Sequence, residues 1–327
     1  MDRRNFMAAA AGTMLTLISG EYKFAHAEKK EMKTKIALIR GEDRADGVQR
    51  AVRLLGINPV AGKKVLLKPN FNTADPFPAS THNDTLKALI NELKSMGCRR
   101  ITMGERCGPP DTADVLHAKE IYSLCRMLDV DLINFEELPA DQWIRVRPEK
   151  SHWQDGFLVA KPVLDAECIV STCCLKTHRY GGVFTMSLKL SVGITHKDDM
   201  SELHGAVSGN MRKMIAEINQ VYSPSLIVMD GMEVFVDGGP MTGNKKRADL
   251  IIAGTDRVAI DAVGLAVLKS LGSNPQVMNT KIFSQEQIAR AVELGLGVAG
   301  VDRIEIVSDD QGKEYAEKLT NILRKEG

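Results

Sequence analysis

Residues 166–196, which read AECIVSTCCLKTHRYGGVFTMSLKLSVGITH, combine a buried-strand pattern with many chemically capable side chains. The first five residues are mostly apolar and predict a strand inside a sheet. Two adjacent cysteines, Lys176, His178, a pair of glycines, Lys189 and His196 follow. In open α/β folds, ligands bind where the strands end, at the carboxyl edge of the sheet. The stretch therefore predicts an α/β fold and a ligand site.

Strand-like and helix-like patterns alternate along most of the remaining chain. Short apolar runs that predict strands are separated by amphipathic segments such as residues 83–96. This alternation is typical of parallel βαβ units, so we expect an α/β fold with an open, mostly parallel sheet flanked by helices. Strand patterns at 143–147 and 156–160 add a small inserted or edge antiparallel element. We expect a single large domain over 28–327, and 137–165 is where two lobes would divide.

The N-terminal 27 residues resemble an export signal. Arg3-Arg4 precede a modest apolar run, and small residues near Ala27 suit a signal peptidase. The run is shorter than the about 20 residues of a membrane-spanning helix. The pattern predicts a twin-arginine signal, the twin-arginine export machinery as partner, cleavage near Ala27, and a periplasmic or otherwise exported protein. That route points to a metal or cofactor inserted before export. An amphipathic N-terminal helix is the alternative.

The composition argues against several classes of function. The chain has 43 basic and 42 acidic residues and a formal net charge of +1, so no electrostatic footprint for nucleic acid is present. The sequence predicts no stable membrane span after signal cleavage. None of the six cysteines has CxxC spacing, so zinc-ribbon, thioredoxin and ferredoxin-type iron–sulfur motifs are absent. Disulfides remain open, because an exported protein permits them.

Polar residues follow the ends of four predicted strands. These residues are Lys68-Pro69-Asn70, Glu105-Arg106, the segment from Lys176 to His178, and Asp230-Gly231. The carboxyl ends of parallel strands lie on one side of a sheet, over a shared crevice. Ordinary turn chemistry is the alternative, and it is strongest for Asp230-Gly231. The pattern predicts a crevice for a small anionic ligand, which is either a substrate or a cofactor.

The predicted crevice contains candidates for acid–base catalysis. Lys176 and His178 lie two residues apart, so their side chains point the same way on an extended chain. Such a pair serves as an acid and a base or as an anion clamp. Lys189 adds positive charge. Asp230 and Asp261 would orient these groups, since a buried carboxylate in an apolar helix such as that of Asp261 needs a partner.

Five residues are predicted to bind a cofactor or an anion. They are Lys68, Asn70, Gly181, Gly182 and Gly239. The first glycine pair precedes a predicted helix over 185–192, whose backbone N–H groups would face a phosphate or carboxylate. The segment 237–243 predicts a lid or a second phosphate-facing loop. Ordinary glycine turns are the alternative for both. The GxxxxGK[ST] phosphate-binding pattern is absent.

A metal site is another use of the histidines. His82, His178 and His196 are the candidate ligands. No HExxH motif is present, and a lone histidine is more often a hydrogen-bonded structural residue. The metal hypothesis therefore depends on the fold bringing these three residues together.

Several short motifs, in matching order, resemble the domain of unknown function 362 family. The motifs are Lys68-Pro69-Asn70, the LKTH element ending at His178, Thr185…Lys189…Gly193, Asp230-Gly231…Gly239-Pro240…Gly243, and Asp256…Asp261. The resemblance extends from Ile36 to Val307. Many members carry ferredoxin-like cysteine clusters, which this sequence lacks. It also has Leu190 where that family tends to place an asparagine.

A looser resemblance is to the N-terminal domain of nickel-pincer lactate racemases. His178, Gly181-Gly182, Lys189 and either His196 or His204 follow in the same order there. This resemblance implies an organometallic or proton-transfer centre that acts on a small hydroxy acid.

Two classes of function remain open. The first is an exported enzyme with Lys/His acid–base chemistry on a small anion. The second is a periplasmic protein that binds a ligand or cofactor without catalysis. Turnover of a co-purifying ligand would distinguish them.

Overall fold

The computed structural model describes residues 33–205 and 209–327, and the predicted export signal lies outside them. The strands of this part of the chain are β1 (Thr34–Arg40), β2 (Lys64–Lys68), β3 (Arg100–Glu105), β4 (Asp131–Asn134), β5 (Trp143–Val146), β6 (Phe157–Ala160), β7 (Cys168–His178), β8 (Val183–Thr185), β9 (Leu226–Gly238), β10 (Gly243–Gly254) and β11 (Ile304–Ser308).

The α-helices connect and cover these strands. They are α1 (Arg44–Leu55), α2 (Asn83–Ser95), α3 (Thr112–Ala118), α4 (Ile121–Met127), α5 (Lys161–Leu164), α6 (Met200–His204), α7 (Met211–Ile218), α8 (Arg257–Leu271), α9 (Pro275–Met278), α10 (Glu286–Glu293) and α11 (Lys313–Glu326). A 3₁₀ helix, Leu188–Ile194, carries Lys189.

One mixed sheet forms the centre of the molecule. Its strand order is β11-β1-β10-β9-β7-β2-β3-β4, and β8 pairs with β7 off this path. The pairs β1/β11, β7/β9, β2/β7, β2/β3 and β3/β4 are parallel, whereas β10 runs antiparallel to both of its neighbours. β5 and β6 form a separate antiparallel pair. The predicted α/β class and the small antiparallel element are confirmed.

The central strand β7 is buried along its whole length, which explains its apolar sequence. Its side chains alternate between two apolar clusters. Cys173 and Leu175 pack on the side of α8 and α11, and Cys174 packs on the side of α1 and α2. Fully burying a leucine- or valine-sized side chain contributes about 1.5–3 kcal/mol. The two layers of helices therefore hold β7 rigidly from both faces.

Two predicted strand ends and one predicted helix were wrong. β7 continues through Lys176 to His178 because β8 folds back and pairs with it. β9 continues past Asp230 because it forms a long hairpin with β10. The segment predicted as a helix over 185–192 is the end of β8 followed by the 3₁₀ helix. Lys68 and Glu105 do end their strands, whereas the polar residues of β7 and β9 lie within strands that continue because a neighbouring strand pairs with them.

Candidate functional site

Two adjoining cavities lie where β2, β3 and β7 end. The inner cavity has a volume of about 50 Å³ and the outer cavity about 910 Å³. His178 and Lys189 line both. The inner cavity is also lined by Lys68, Asn70 and Lys176, so the structure brings these five predicted residues together.

The β7–β8 hairpin sets the positions of two of these side chains. Lys176 pairs with Thr185, and His178 pairs with Val183 across the hairpin. Lys176 and His178 both line the inner cavity. Val183 has a φ of 64°, a left-handed conformation that is strained for a β-branched residue. Such strain is typical of functional sites, where the surrounding structure holds it.

Lys68 is already paired with a carboxylate. Its ammonium group contacts the Glu105 carboxylate and donates to the Pro69 carbonyl oxygen at 2.8 Å. Glu105 also accepts from the backbone N–H groups of Phe71 and Arg106, each at 2.9 Å. Burial lowers the pKa of Lys68 and raises the pKa of Glu105, and their mutual attraction opposes both shifts. Lys68 and Glu105 both line the inner cavity, and as an ion pair they add no net charge to it.

Lys176 has no such carboxylate. It is fully buried, and its ammonium group donates to the Ala79 carbonyl oxygen. Burial lowers its pKa. No ion pair of Lys176 occurs within residues 33–205 and 209–327. Its charge is therefore available to a ligand.

His178 is a buried base with a free nitrogen. Its Nδ1 has no hydrogen-bond partner in the described part of the chain. Burial lowers the pKa of His178 to about 2, and repulsion from Lys189 and Lys176 adds to this effect. The imidazole is consequently neutral near pH 7.

Lys189 is positioned by Asp261. The Asp261 carboxylate accepts from the backbone N–H groups of Ser187 at 2.7 Å and Leu188 at 3.1 Å, where the 3₁₀ helix begins. Burial raises the pKa of Asp261 to about 7. Burial, with repulsion from Lys176, lowers the pKa of Lys189 to about 8. Asp261 therefore binds two backbone amides directly before Lys189 rather than a site lysine itself, and its role in orienting the site stays a prediction.

The glycines act through close packing rather than by presenting a helix N-terminus. A Cβ on Gly182 would lie 2.8 Å from His178 Nδ1 and 3.2 Å from Lys189 Cε. Gly181 has a φ of 80° in the turn of the β7–β8 hairpin. A Cβ on Gly239 would lie 2.0 Å from the Thr177 carbonyl oxygen, so only glycine fits there. Gly239 thereby lets the β9–β10 turn pack on β7 and places Pro240 against both cavities.

The outer cavity combines positive charge with apolar surface. Arginine, lysine and histidine side chains line it, and no Asp or Glu does among the residues that the structure describes. Arg106 donates to the carbonyl oxygens of Thr195 at 2.8 Å and of Val192, so its charge is held in place by backbone groups. Methionines, Leu203 and the exposed ring of Tyr180 supply apolar area.

Asp230 lies outside both cavities. It is fully buried and accepts from Arg44 Nε at 3.0 Å, from the Met232 backbone N–H at 3.0 Å, and from the Thr85 hydroxyl. Arg44 belongs to α1 and Thr85 to α2, and Met232 belongs to β9 itself. Its predicted role of orienting the site lysines is wrong, because its hydrogen bonds are already made elsewhere.

The structure does not bring His82, His178 and His196 together. His82 caps the N-terminus of α2, and its Nδ1 accepts from the Asp84 N–H at 3.1 Å. His196 accepts from the Asp198 N–H at 3.2 Å and packs edge-on against Trp143. The described residues contain no cluster of three His, Cys, Asp or Glu suited to a metal. Of the two histidines that the racemase resemblance allowed, His204 alone lines the outer cavity.

Sequence reasoning missed several lining residues. Thr185 and Asn72 line the inner cavity, and Met200, Met211 and Met241 line the outer one. The methionines belong to three separate segments, and no spacing rule links them. The sequence did contain a sign of Thr185. The glycine pair Gly181-Gly182 allows a hairpin, and Thr185 lies opposite Lys176 in that hairpin.

The fold and the cavities define an α/β protein with a cation-lined ligand site at the carboxyl edge of a mostly parallel sheet. The family described as domain of unknown function (DUF362) matches residues 65–266, more than half of the chain. The chain belongs to this family, and the resemblance found in its motifs is confirmed.

The individual proteins that resemble this chain have low sequence identity to it. A thylakoid-associated protein of Synechocystis sp. is 22% identical over 224 residues, which cover 64% of this chain and 64% of that protein. The chain thus spans less than two thirds of this relative's length. The structure of the lactate racemase apoprotein from Thermoanaerobacterium thermosaccharolyticum is similar with a TM-score of 0.46 and 13% identity, over 87% of this chain and 86% of that one.

A membrane-spanning helix must be both long and apolar. No helix within 33–205 and 209–327 is both long and apolar enough to cross a bilayer.

Proposed function

We propose that the protein is an acid–base enzyme that acts on a small organic anion bound beside His178 and Lys189. One observation carries this proposal. His178 Nδ1 is buried without a hydrogen-bond partner among the described residues, and the half-buried Lys189, which forms no ion pair there, lines the same two cavities. Native proteins rarely leave such groups unpaired in their interior without a function.

The electrostatics of the two groups supports their division of roles. Neutral His178 accepts a proton from the bound anion, and the Lys189 ammonium group pairs with the negative charge that the substrate gains. An anion in the cavity also offsets the repulsion that Lys189 exerts on His178. The pKa of His178 therefore rises when the substrate binds, which makes it a stronger base where it is needed.

Deuterium exchange tests this proposal. Small carboxylates are incubated with the protein in D₂O, and NMR follows deuterium incorporation at the carbon next to the carboxylate. We expect exchange that the His178→Gln substitution reduces by at least about a hundredfold. If a carboxylate binds in a way that depends on Lys189 but no exchange occurs, the protein is a binding protein and not an enzyme. Binding and exchange that survive both His178→Gln and Lys189→Met would overturn the site itself.

We place this activity outside the cytoplasm. The predicted twin-arginine signal supports this location, as does a relative that is named for its association with thylakoids. Fractionation of the native host and N-terminal sequencing test it. The expected result is a periplasmic or otherwise exported protein that begins near Glu28, and a protein retaining Met1 in the cytoplasm would contradict it.

A further inference from the structure

Four polar groups around the inner cavity lack the partner that their chemistry requires. Lys176 is a fully buried lysine that forms no ion pair within the described residues, although Asp75 attracts its charge from a longer distance. Asn70 Oδ1, Thr185 Oγ1 and His178 Nδ1 are buried and have no hydrogen-bond partner in the described chain. All four residues line the same cavity. Since buried polar atoms are nearly always paired, their clustering indicates that a polar group of a ligand completes them.

The missing partner is negatively charged. The charge of Lys68 is balanced by Glu105, and Arg106 is engaged by backbone carbonyls. Lys176 and Lys189 have no carboxylate partner within the described residues. Water molecules satisfy neutral polar atoms, but they do not balance the charge of a fully buried ammonium group such as that of Lys176, beside the half-buried Lys189.

The size of the inner cavity selects the kind of anion. A volume of about 50 Å³ holds only a few atoms of ligand. A planar carboxylate has three heavy atoms, whereas a sulfate or phosphate group has five. Gly193 packs closely against Lys68 on one wall, since a Cβ there would lie 2.7 Å from Lys68 Nζ. The inner cavity therefore fits a carboxylate better than a tetrahedral anion.

The outer cavity suits the remainder of such a molecule. It is much larger, about 910 Å³, and its lining includes Leu203, Met200, Met211 and Met241. Methionine side chains are flexible and polarisable, so they adapt to apolar groups of different shapes. A ligand that left this cavity empty would forgo most of the apolar area available to it.

We infer that the ligand is an amphipathic carboxylate, whose carboxylate binds Lys176 and Thr185 in the inner cavity while its apolar chain or ring fills the outer cavity. This inference rests on the proposed function and names its substrate class. His178 and Lys189 line both cavities, so they face the carbon atoms next to the carboxylate. That is the position at which the proposed proton transfer takes place.

Calorimetry with the full chain tests the inference with a defined set of probes. Butanoate, hexanoate and octanoate vary the chain length, and hexyl sulfate and hexylamine vary the head group. We expect affinity to rise about two- to fourfold for each added CH₂. Hexanoate should bind at least about tenfold more tightly than hexyl sulfate, and hexylamine should not bind.

Substitutions locate the head group. Lys176→Met should weaken hexanoate binding by at least about tenfold, and Thr185→Val should weaken it several-fold. Lys87→Met, which removes an exposed lysine on α2, is the matched control and should change nothing. Thr185→Val is nearly isosteric, so it keeps the test valid if Lys176→Met fails to fold.

Equal affinity for hexanoate and hexyl sulfate would overturn the inference, and so would hexanoate binding that neither inner-cavity substitution weakens. Affinity that does not change from butanoate to octanoate would also overturn it. If Lys189→Met alone abolished carboxylate binding and exchange persisted in the wild type, the proposed function would stand without the inner-cavity assignment. The two failures are therefore distinguishable.

Discussion

Two clusters of polar side chains, next to the neighbouring central strands β7 and β9, differ in how far their hydrogen bonds are satisfied. The first, the cavity cluster, consists of Lys176, His178 and Lys189. The second, the Asp230 cluster, consists of Asp230, Arg44 and Thr85. The sequence predicted Asp230 and the three residues of the cavity cluster at one site.

The Asp230 cluster is complete in itself. Its carboxylate is fully buried and has a cation, a hydroxyl and a backbone N–H as partners. The cavity cluster holds two cations and an imidazole, and no carboxylate of the described residues forms an ion pair with them. A satisfied cluster stabilises the fold, whereas an unsatisfied one beside a cavity costs stability and binds something else. Burial and charge alone therefore do not mark a functional residue.

The largest expected difference between the clusters is in turnover. Lys189→Met removes the cation that pairs with the substrate, and we expect deuterium exchange to fall by about 10²–10⁴-fold. Asp230→Asn leaves both cavities unchanged, so the folded protein should exchange at the wild-type rate. NMR in D₂O, with the small carboxylate that exchanges in the wild type, measures both variants, and circular dichroism verifies that each is folded. An equal loss of deuterium exchange in Lys189→Met and Asp230→Asn would contradict the functional difference between the two clusters.

For the free energy of unfolding, the substitution of Asp230 should have a larger effect than that of Lys189. Asp230→Ala leaves Arg44 and Thr85 without their acceptor, and we expect a loss of about 3 kcal/mol in the free energy of unfolding. Lys189→Met removes a half-buried cation without an ion-pair partner, and it should be neutral or stabilising. Urea denaturation compares the two. If Asp230→Ala does not fold, Thr85→Val should lose about 1 kcal/mol. A Lys189→Met protein less stable than Asp230→Ala would refute the comparison.

Periodicity and alternation were sufficient to predict the α/β class, since they reflect local backbone preference and burial. The apolar run before Ser171 predicted a buried strand, and β7 is buried over its whole length. The residues that line the inner cavity from β2 and β7 could also be predicted, because polar groups at the ends of parallel strands meet at one edge.

Other features depend on pairing across the chain, which sequence patterns do not encode. Asp230 looked like a strand end because glycine follows it, but β10 pairs with the strand beyond that point. Asp261 looked like a partner for a lysine, but two backbone N–H groups lie closer to it. The outer cavity was unpredictable because its apolar lining comes from separate segments.

The pH dependence of binding sharpens the comparison further. Burial lowers the pKa of Lys189 to about 8, so its positive charge is present below that pH and lost above it. Affinity for hexanoate should therefore be constant from pH 6 to 7 and fall by up to about tenfold per pH unit above 8. Calorimetry across this range measures it. Lys189→Arg should remove the decline, because arginine stays charged. A decline that persists in this variant would assign the titration to another group.

The smallest expected effect concerns the packing around the cavity cluster. Gly182→Ala adds a methyl group 2.8 Å from His178 Nδ1 and 3.2 Å from Lys189 Cε, so one of these side chains must move. Because a displaced group loses alignment with its ligand, we expect hexanoate affinity to fall about three- to tenfold. Calorimetry on Gly182→Ala and Gly41→Ala measures the effect.

Gly41 is the matched control, because an added Cβ there meets nothing within 4 Å. Its substitution should leave the affinity unchanged. The Gly182 result separates two views of the cavity cluster. If His178 and Lys189 act as a pair, moving either one weakens binding, since their relative position is what the ligand recognises. If Lys189 acted only as a remote charge, a shift of a few tenths of an ångström would have no measurable effect, and Gly182→Ala would match Gly41→Ala.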